Sequence, residues 1–162
     1  MKSLVIVALS AGIAFADVKP FALRVMNGNG LYESAKQTNA VYVLENYFLD
    51  CIYCNQNAPN VDELADFYKN DNRVQVLDLG IDRTDMQYTE WIRRHRPNHP
   101  VLNDGARVVT KQLGTTSYPT VNVVNGAGVV LFKSTGVWSG STKARLHAVI
   151  DQALADQEQV KP

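Results

Sequence analysis

The stretch that decides the fold is VYVLENYFLDCIYC, residues 41–54. Its first nine residues, Val41 to Leu49, are rich in β-branched and aromatic side chains, which predicts a buried central strand. Two cysteines, Cys51 and Cys54, follow this strand almost at once. Beyond them, apolar residues recur at the spacing of one helix face: Val61, Leu64, Ala65 and Tyr68. The stretch therefore predicts a strand that runs into a helix, with both cysteines at the junction.

The middle of the chain continues to alternate between strand and helix patterns. Arg73 to Ile81 (RVQVLDLGI) predicts a second strand, and Thr84 is placed to cap a helix. Pro97 and Pro100 bring that helix to an end. Its apolar face consists of Tyr88, Trp91, Ile92 and His95. A strand–helix–strand order predicts parallel strands joined by a crossover helix.

The last third of the chain is typical of antiparallel strands followed by a helix. After a short helix over residues 106–113, two β-rich runs, Pro119 to Val124 and Val129 to Lys133, flank the turn sequence Asn-Gly-Ala-Gly. Ser141 is expected to cap a final helix, and the tail from Asp156 is expected to fray. The inner face of this helix would carry Leu146, Val149, Ile150 and Ala153. The element order predicts an α/β fold with a mixed β-sheet flanked by helices.

Residues 1–16 have the layout of a secretory signal peptide. A positive charge at Lys2 precedes an apolar run, and Ala14-Phe15-Ala16 places small residues where a signal peptidase cuts. We therefore expect cleavage after Ala16, export, and a single domain over residues 17–162. The alternative is an uncleaved N-terminal anchor, although the apolar run is short for a membrane span.

The charge balance argues against a nucleic-acid partner. The chain has 16 basic and 16 acidic side chains, and loss of residues 1–16 removes only Lys2 from this balance. A nearly neutral domain has no general attraction for nucleic acid or for an anionic membrane surface. Any contact with the membrane is expected only through a signal that stays uncleaved.

The two cysteines are poorly spaced for a structural disulfide. Only two residues separate Cys51 from Cys54, so closing the ring would remove little chain entropy from the unfolded state. Redox chemistry and metal binding remain. A zinc site usually needs four ligands, and the sequence has neither a second C-x-x-C nor a paired histidine motif. Copper(I) is the metal that suits two soft thiolates.

A C-x-x-C motif at the start of a helix has a physical logic for disulfide exchange. The helix N-terminus stabilises a thiolate on the first cysteine, and the thiolate is the attacking species. The second cysteine lies one turn along the helix, close enough to resolve a mixed disulfide. We therefore assign Cys51 as the candidate nucleophile and Cys54 as the candidate resolving thiol.

Several separate positions resemble the thioredoxin superfamily over roughly Val41 to Ala155. The agreeing features are the C-x-x-C after a hydrophobic strand, Pro59 in the following helix, Glu45 at the place of a buried acid, the Tyr118-Pro119-Thr120 loop, and the C-terminal hairpin and helix. The longer stretch from Asp82 to Arg107 resembles the helix/strand insertion of exported TlpA/ResA-like proteins. Those proteins are often reductants in cytochrome c maturation or related thiol reduction.

The resemblance implies roles for further residues. Glu45 would relay protons to Cys54, and its apolar neighbours favour burial. Pro119 would be a cis-proline that shapes a groove for an extended peptide, together with Ile52, Tyr53, Tyr118 and Thr120. The chain departs from the family in two places: Asp50 replaces the usual tryptophan before the first cysteine, and Ile52-Tyr53 replaces the usual proline-containing pair.

The sequence thus predicts an exported thiol–disulfide oxidoreductase, in the periplasm, that exchanges disulfides with protein thiols and with an unidentified redox partner protein. No dissociable cofactor is expected, because the cysteines are the redox centre. Asp50 and Glu45 place acids near the nucleophile, which favours a reductant or isomerase role over a strong oxidase. The alternative is a thioredoxin-fold copper chaperone or partner-binding module.

Overall fold

The computed structural model describes residues 17–37 and 39–159. Its strands are β1 (Ala22–Arg24), β2 (Leu31–Glu33), β3 (Val41–Tyr47), β4 (Val74–Gly80), β5 (Val101–Asn103), β6 (Thr120–Val124) and β7 (Val130–Thr135). Its α-helices are α1 (Ile52–Tyr68), α2 (Asp85–His95), α3 (Val108–Gln112) and α4 (Gly140–Gln159). The signal-peptide prediction for residues 1–16 lies outside the described residues.

A five-stranded mixed sheet in the order β5-β4-β3-β6-β7 forms the centre of the fold. Strand β3 pairs in parallel with β4 and antiparallel with β6, and β4 pairs in parallel with β5. All seven residues of β3 are buried, because elements cover both faces of the sheet at this strand. The predicted α/β fold, with a thioredoxin-like mixed sheet flanked by helices, is confirmed.

The two faces of β3 follow from the alternation of its side chains. Val41 and Val43 face a core shared with α1 and α4, whereas Tyr42 and Leu44 face a core shared with α3 and the N-terminal segment. The predicted inner face of α1 is buried or nearly so, as is that of α4. Glu45 therefore points to the same face as Val41 and Val43, toward α1.

Helix α2 begins and ends as its sequence predicts. Thr84 Oγ1 and the Gln87 side chain form a reciprocal capping box, and Arg96 adopts a left-handed conformation with a φ of 50° just after the last turn. The Trp91 ring stacks on Tyr47 of β3, with ring centroids 3.9 Å apart. This stacking fixes α2 beside the strand that leads to the cysteines.

The final helix, α4, differs from the sequence prediction at both of its ends. The final helix is capped by Ser139, whose Oγ accepts from the Thr142 N–H at 3.2 Å, so the assignment to Ser141 is wrong by two residues. The helix also continues through Gln159, beyond the point where fraying was expected at Asp156. The cap lies earlier because Ser139 is the last residue before the helical turn closes, as its carbonyl accepts from Lys143 N–H.

An N-terminal hairpin was not predicted. Strands β1 and β2 pair antiparallel, and Val25 forms an antiparallel bridge with Leu102 of β5. The hairpin places Phe21 and Leu23 in the core on the α3 side of the sheet. No helix among the described residues is both long enough and apolar enough to cross a membrane.

Candidate active site

Cys51 and Cys54 form a disulfide at the N-terminus of α1, with their Cα atoms 5.2 Å apart. Cys51 is the N-cap residue, and its Sγ accepts from the Cys54 backbone N–H at 3.1 Å. It is also the more exposed of the two, at 7% against 2%. The strand-to-helix junction therefore places the first sulfur at the helix end, where a backbone donor and the helix dipole favour negative charge.

Several apolar and aromatic side chains lie near the disulfide in the chain or pack against it. Ile52 and Tyr53, between the cysteines, are 71% and 62% exposed. The Phe48 and Tyr118 rings meet edge to face at 5.6 Å, and both pack against the cluster that contains the two cysteines. Three of these residues, Ile52, Tyr53 and Tyr118, are among those expected to line a substrate groove; Ile52 and Tyr53 are exposed, and Tyr118 is half-buried.

The proline loop lies beside this surface. The Tyr118–Pro119 peptide bond is cis, in agreement with the resemblance. Thr120 is different: its side chain is buried in the sheet, and its hydroxyl donates to the Ser117 carbonyl at 2.7 Å and lies 2.8 Å from Thr135 Oγ1. The Thr120 side chain therefore supports the loop and the sheet rather than lining a groove, because its hydroxyl is already satisfied.

Glu45 is buried, as the sequence predicts, with 3% of its surface exposed. Its Oε1 accepts from Asn57 Nδ2 at 2.7 Å, and its Oε2 has no hydrogen-bond partner. Burial raises the pKa of Glu45 to about 8, although the Asn57 hydrogen bond opposes this shift and the nearby Asp78 adds to it. Because Asn57 lies one turn after Cys54, the acid sits beneath the first turns of the active-site helix.

A buried ion-pair cluster extends from Glu45 toward solvent. Asp78 faces Glu45 across the β3–β4 pairing, and Trp91 Nε1 donates to its Oδ2 at 3.1 Å. His99 lies between Asp78 and Asp62, with one ring nitrogen 3.2 Å from each carboxylate. Burial disfavours the imidazolium, but the two carboxylates outweigh it and raise the pKa of His99 to about 10. This cluster places the Asp78 side chain, with its His99 partner, beside the Glu45 carboxyl group, whose pKa is raised.

Two polar side chains hold the loop that precedes Cys51. Asp82, two residues after the end of β4, accepts from the Leu49 N–H at 3.0 Å. Burial raises the pKa of Asp82, against the effect of this N–H, and Asp50 raises it further. Asn55 donates to the carbonyls of Leu49 and Cys51. The backbone that leads to Cys51 is therefore held from both sides.

Sequence reasoning missed five residues around the cysteines: Asn55, Asn57, Asp78, Asp82 and His99. Asp78 carried a usable signal, because a charged residue inside an otherwise apolar strand needs a buried partner. Asn57 lies one helical turn from Cys54, on the face that points to the core. His99 gave no local signal, since its partners come from α1 and β4.

No metal site is evident within residues 17–37 and 39–159, where no group of three or more His, Cys, Asp or Glu side chains could hold an ion.

One protein family matches most of the chain. A family model described as Redoxin matches residues 12–150. The chain belongs to the Redoxin family. A comparison of this redoxin with curated proteins finds no match.

Solved structures with the same fold cover most of this redoxin. One is assigned as the thiol:disulfide interchange protein DsbE of Chlorobium tepidum: it is 21% identical, with a TM-score of 0.75 over 87% of this chain and 97% of that one. StoA from Bacillus subtilis is 14% identical, with a TM-score of 0.68 over 83% and 98%. A secreted Mycobacterium tuberculosis disulfide oxidoreductase is 14% identical, with a TM-score of 0.65 over 82% and 95%.

The family and the site agree on the chemistry. The redoxin carries a C-x-x-C pair that closes into a disulfide at a helix N-terminus, and it is a thiol–disulfide oxidoreductase of the thioredoxin superfamily. Beside the disulfide, the Cys54 N–H donates to Cys51 Sγ at 3.1 Å, and the buried Glu45 has a pKa raised to about 8.

Proposed function

We propose that this redoxin is an exported, periplasmic exchange protein that reduces or isomerises disulfides in protein substrates. The observation that carries the proposal is Cys51 at the N-cap of α1, with its Sγ facing the Cys54 N–H and its surface more exposed than that of Cys54. In a TlpA/ResA-like setting the substrates would include protein disulfides reduced during cytochrome c maturation, and a separate redox partner protein would return the site to its dithiol form.

Reduction of a substrate proceeds in two exchanges. The Cys51 thiolate attacks one substrate sulfur, forms a mixed disulfide and expels the other substrate sulfur as a thiolate. Cys54 then loses its proton, attacks Cys51 Sγ and releases the second substrate thiolate, which leaves the Cys51–Cys54 disulfide. Glu45, with a pKa of about 8, accepts the Cys54 proton when ionised and returns it in the reverse direction.

Pro119 and the apolar side chains beside the sulfurs hold the substrate in this proposal. Ile52 and Tyr53 expose apolar surface between the two cysteines in the chain, and Tyr118 packs against the cluster that contains the cysteines. An extended peptide between them would make backbone hydrogen bonds to the loop at Pro119.

Variants of the two cysteines test the assignment. Cys51→Ser should abolish insulin reduction while the fold survives, because the attacking thiolate is lost. Cys54→Ser should accumulate mixed disulfides with substrate, because attack still occurs and resolution does not. Substantial activity in Cys51→Ser, or mixed disulfides formed through Cys54 instead, would overturn the roles given to the two thiols.

The direction of electron flow follows from the balance of charges around Cys51. The Cys54 N–H and the helix N-terminus stabilise the thiolate, whereas Asp50, the buried Asp82 and ionised Glu45 oppose it. We expect a reduction potential nearer to about −270 mV, as in thioredoxin, than to about −120 mV, as in DsbA. Equilibration with a glutathione buffer and a count of free thiols measures it; a value near DsbA's would contradict the reductant role.

Export is supported by the layout of residues 1–16 and by the secreted protein among the structures of the same fold. The mass of the chain recovered from the cell envelope tests it. A mature chain that begins at Asp17 would support cleavage and release, whereas a full-length chain in the membrane fraction would favour the anchored form.

A further inference from the structure

The side chain of Asn55 joins the active-site loop to the end of α2 through four hydrogen bonds. Its Nδ2 donates to the Leu49 carbonyl at 2.8 Å and to the Cys51 carbonyl at 2.9 Å. Its Oδ1 accepts from Arg94 Nη1 at 2.9 Å and lies 2.8 Å from His95 Nε2. Both atoms of the amide are thus fully engaged.

The orientation of this amide is set by the chemistry of its partners. The carbonyls of Leu49 and Cys51 can only accept, so they require the NH₂ group. The Arg94 guanidinium can only donate, so it requires the oxygen, and His95 must then donate through Nε2–H. The reversed amide would face donors with donors and acceptors with acceptors. Asn55 therefore holds one orientation as long as α2 keeps its place.

The two carbonyls that accept from Asn55 belong to Leu49 and Cys51, the residues on either side of Asp50. One of these residues, Cys51, carries the nucleophilic sulfur. The Leu49 N–H is held separately by Asp82, so the Leu49 residue is fixed through both its N–H and its carbonyl. The Cys51 carbonyl also accepts from the Asn55 backbone N–H at 3.0 Å, as in a regular helix. Fixing both carbonyls sets the backbone of Cys51, and so the direction in which its Sγ meets the Cys54 N–H.

Other contacts already join α2 to the rest of the protein. The Trp91 and Tyr47 rings stack, Trp91 Nε1 bonds to Asp78, and the Asn98 side chain after α2 bonds to Asp62. The attachment of α2 therefore does not depend on Asn55. Asn55 supplies a further connection, from the last turn of α2 to the backbone beside the sulfur.

We propose that Asn55 is a positioning residue for Cys51. It seats the nucleophile against the Cys54 N–H by tying the Leu49 and Cys51 carbonyls to Arg94 and His95 of α2. This inference rests on the proposed exchange function of Cys51. It also gives helix α2 a role in the chemistry. Arg94 and His95 of this helix bond to Asn55 and not to Cys51, so the helix acts on the thiol through Asn55.

Asn55→Ala tests the inference. Loss of the side chain should raise the Cys51 pKa and slow disulfide exchange at neutral pH by about three- to tenfold, the range that one hydrogen bond usually contributes. The rate of alkylation of the reduced protein, followed against pH, measures the Cys51 pKa, and insulin reduction measures exchange. Gln56→Ala is the matched control, because it makes the same truncation at the next, exposed position of α1.

A second variant keeps the test decisive if Asn55→Ala folds poorly. Arg94→Ala removes one donor to Oδ1 from a half-exposed position and should move the Cys51 pKa in the same direction by a smaller amount. A Cys51 pKa and exchange rate that match the wild type in the folded variants would overturn the positioning role. If the wild-type protein itself performs no exchange, the proposed function fails instead, which separates the two outcomes.

Discussion

At the scale of the residue, the raised pKa of Glu45 follows from the burial of its carboxyl group and from how few hydrogen-bond partners that group has. Asn57 donates to one carboxyl oxygen, and the other is buried without a partner. A buried carboxylate needs more donors than this to remain ionised, so the protonated form is favoured up to a pKa of about 8. With this pKa, both the protonated and the ionised form of Glu45 are populated near neutral pH, whereas a carboxyl in solvent is almost fully ionised there.

Glu45→Gln should preserve the fold and slow the exchange step in which Cys54 loses its proton. The amide keeps the acceptor for Asn57 but cannot titrate, so the pH profile of insulin reduction should lose its titration near pH 8. General-base groups usually contribute rate factors of about 10² or more. Glu63→Gln, an exposed acid on the same helix, is the control and should leave the profile unchanged. An identical profile in Glu45→Gln would show that Glu45 takes no part in proton transfer.

At the scale of the element, α2 illustrates how local sequence can specify a helix boundary. Thr84 and Gln87 satisfy each other's backbone donors, so the first turn leaves few N–H groups without partners. The Gln87 side chain also donates to Asp82, which holds the Leu49 N–H. The start of α2 is thus connected to one side of the active-site loop, and its end to the other.

Thr84→Ala should lower the free energy of unfolding by about 1 kcal/mol, the usual contribution of an N-cap side chain. Urea denaturation of the oxidised protein measures the change. Thr89→Ala is the control, because Thr89 lies at an exposed position in the middle of the same helix and its hydroxyl donates to the Asp85 carbonyl. We expect this control to be neutral or slightly stabilising, since alanine favours helix more than threonine does. Equal losses in both variants would show that the cap is not the cause.

At the scale of the whole molecule, buried titrating groups make stability depend on pH. The pKa of Glu45 is raised to about 8 and that of His99 to about 10, whereas their ordinary values are 4.5 and 6.5. In both cases the folded protein binds a proton more tightly than the unfolded chain. The stability that these protons contribute is complete below the ordinary pKa and is lost as the pH rises through the folded-state pKa.

The free energy of unfolding of the oxidised protein should therefore fall between pH 5 and pH 9. A fall of at least about 1 kcal/mol is expected, since one pKa unit corresponds to about 1.36 kcal/mol. In Glu45→Gln the fall should be smaller, because the contribution of Glu45 is gone while those of His99 and Asp82 are left. Urea denaturation at several pH values measures both curves. A stability that stays level or rises over this range would contradict the charge assignment of the cluster.

The sequence by itself determined what depends on neighbours along the chain. The apolar run of β3, the helix faces of α1 and α4, and the capping box of α2 are local patterns of period and propensity, so each element was predicted within a few residues. The cysteine pair was found for the same reason, because it lies where β3 runs into α1, whereas Glu45 was singled out by its resemblance to the buried acid of the thioredoxin superfamily.

Only the tertiary structure decided which polar groups meet beside that segment. The Glu45–Asp78 pairing depends on the register of β3 against β4, and the approach of His99 depends on the loop after α2. Asn55 finds Arg94 only because α2 packs next to α1. These contacts join residues far apart in the chain, and burial forces each polar group to find a partner wherever packing provides one.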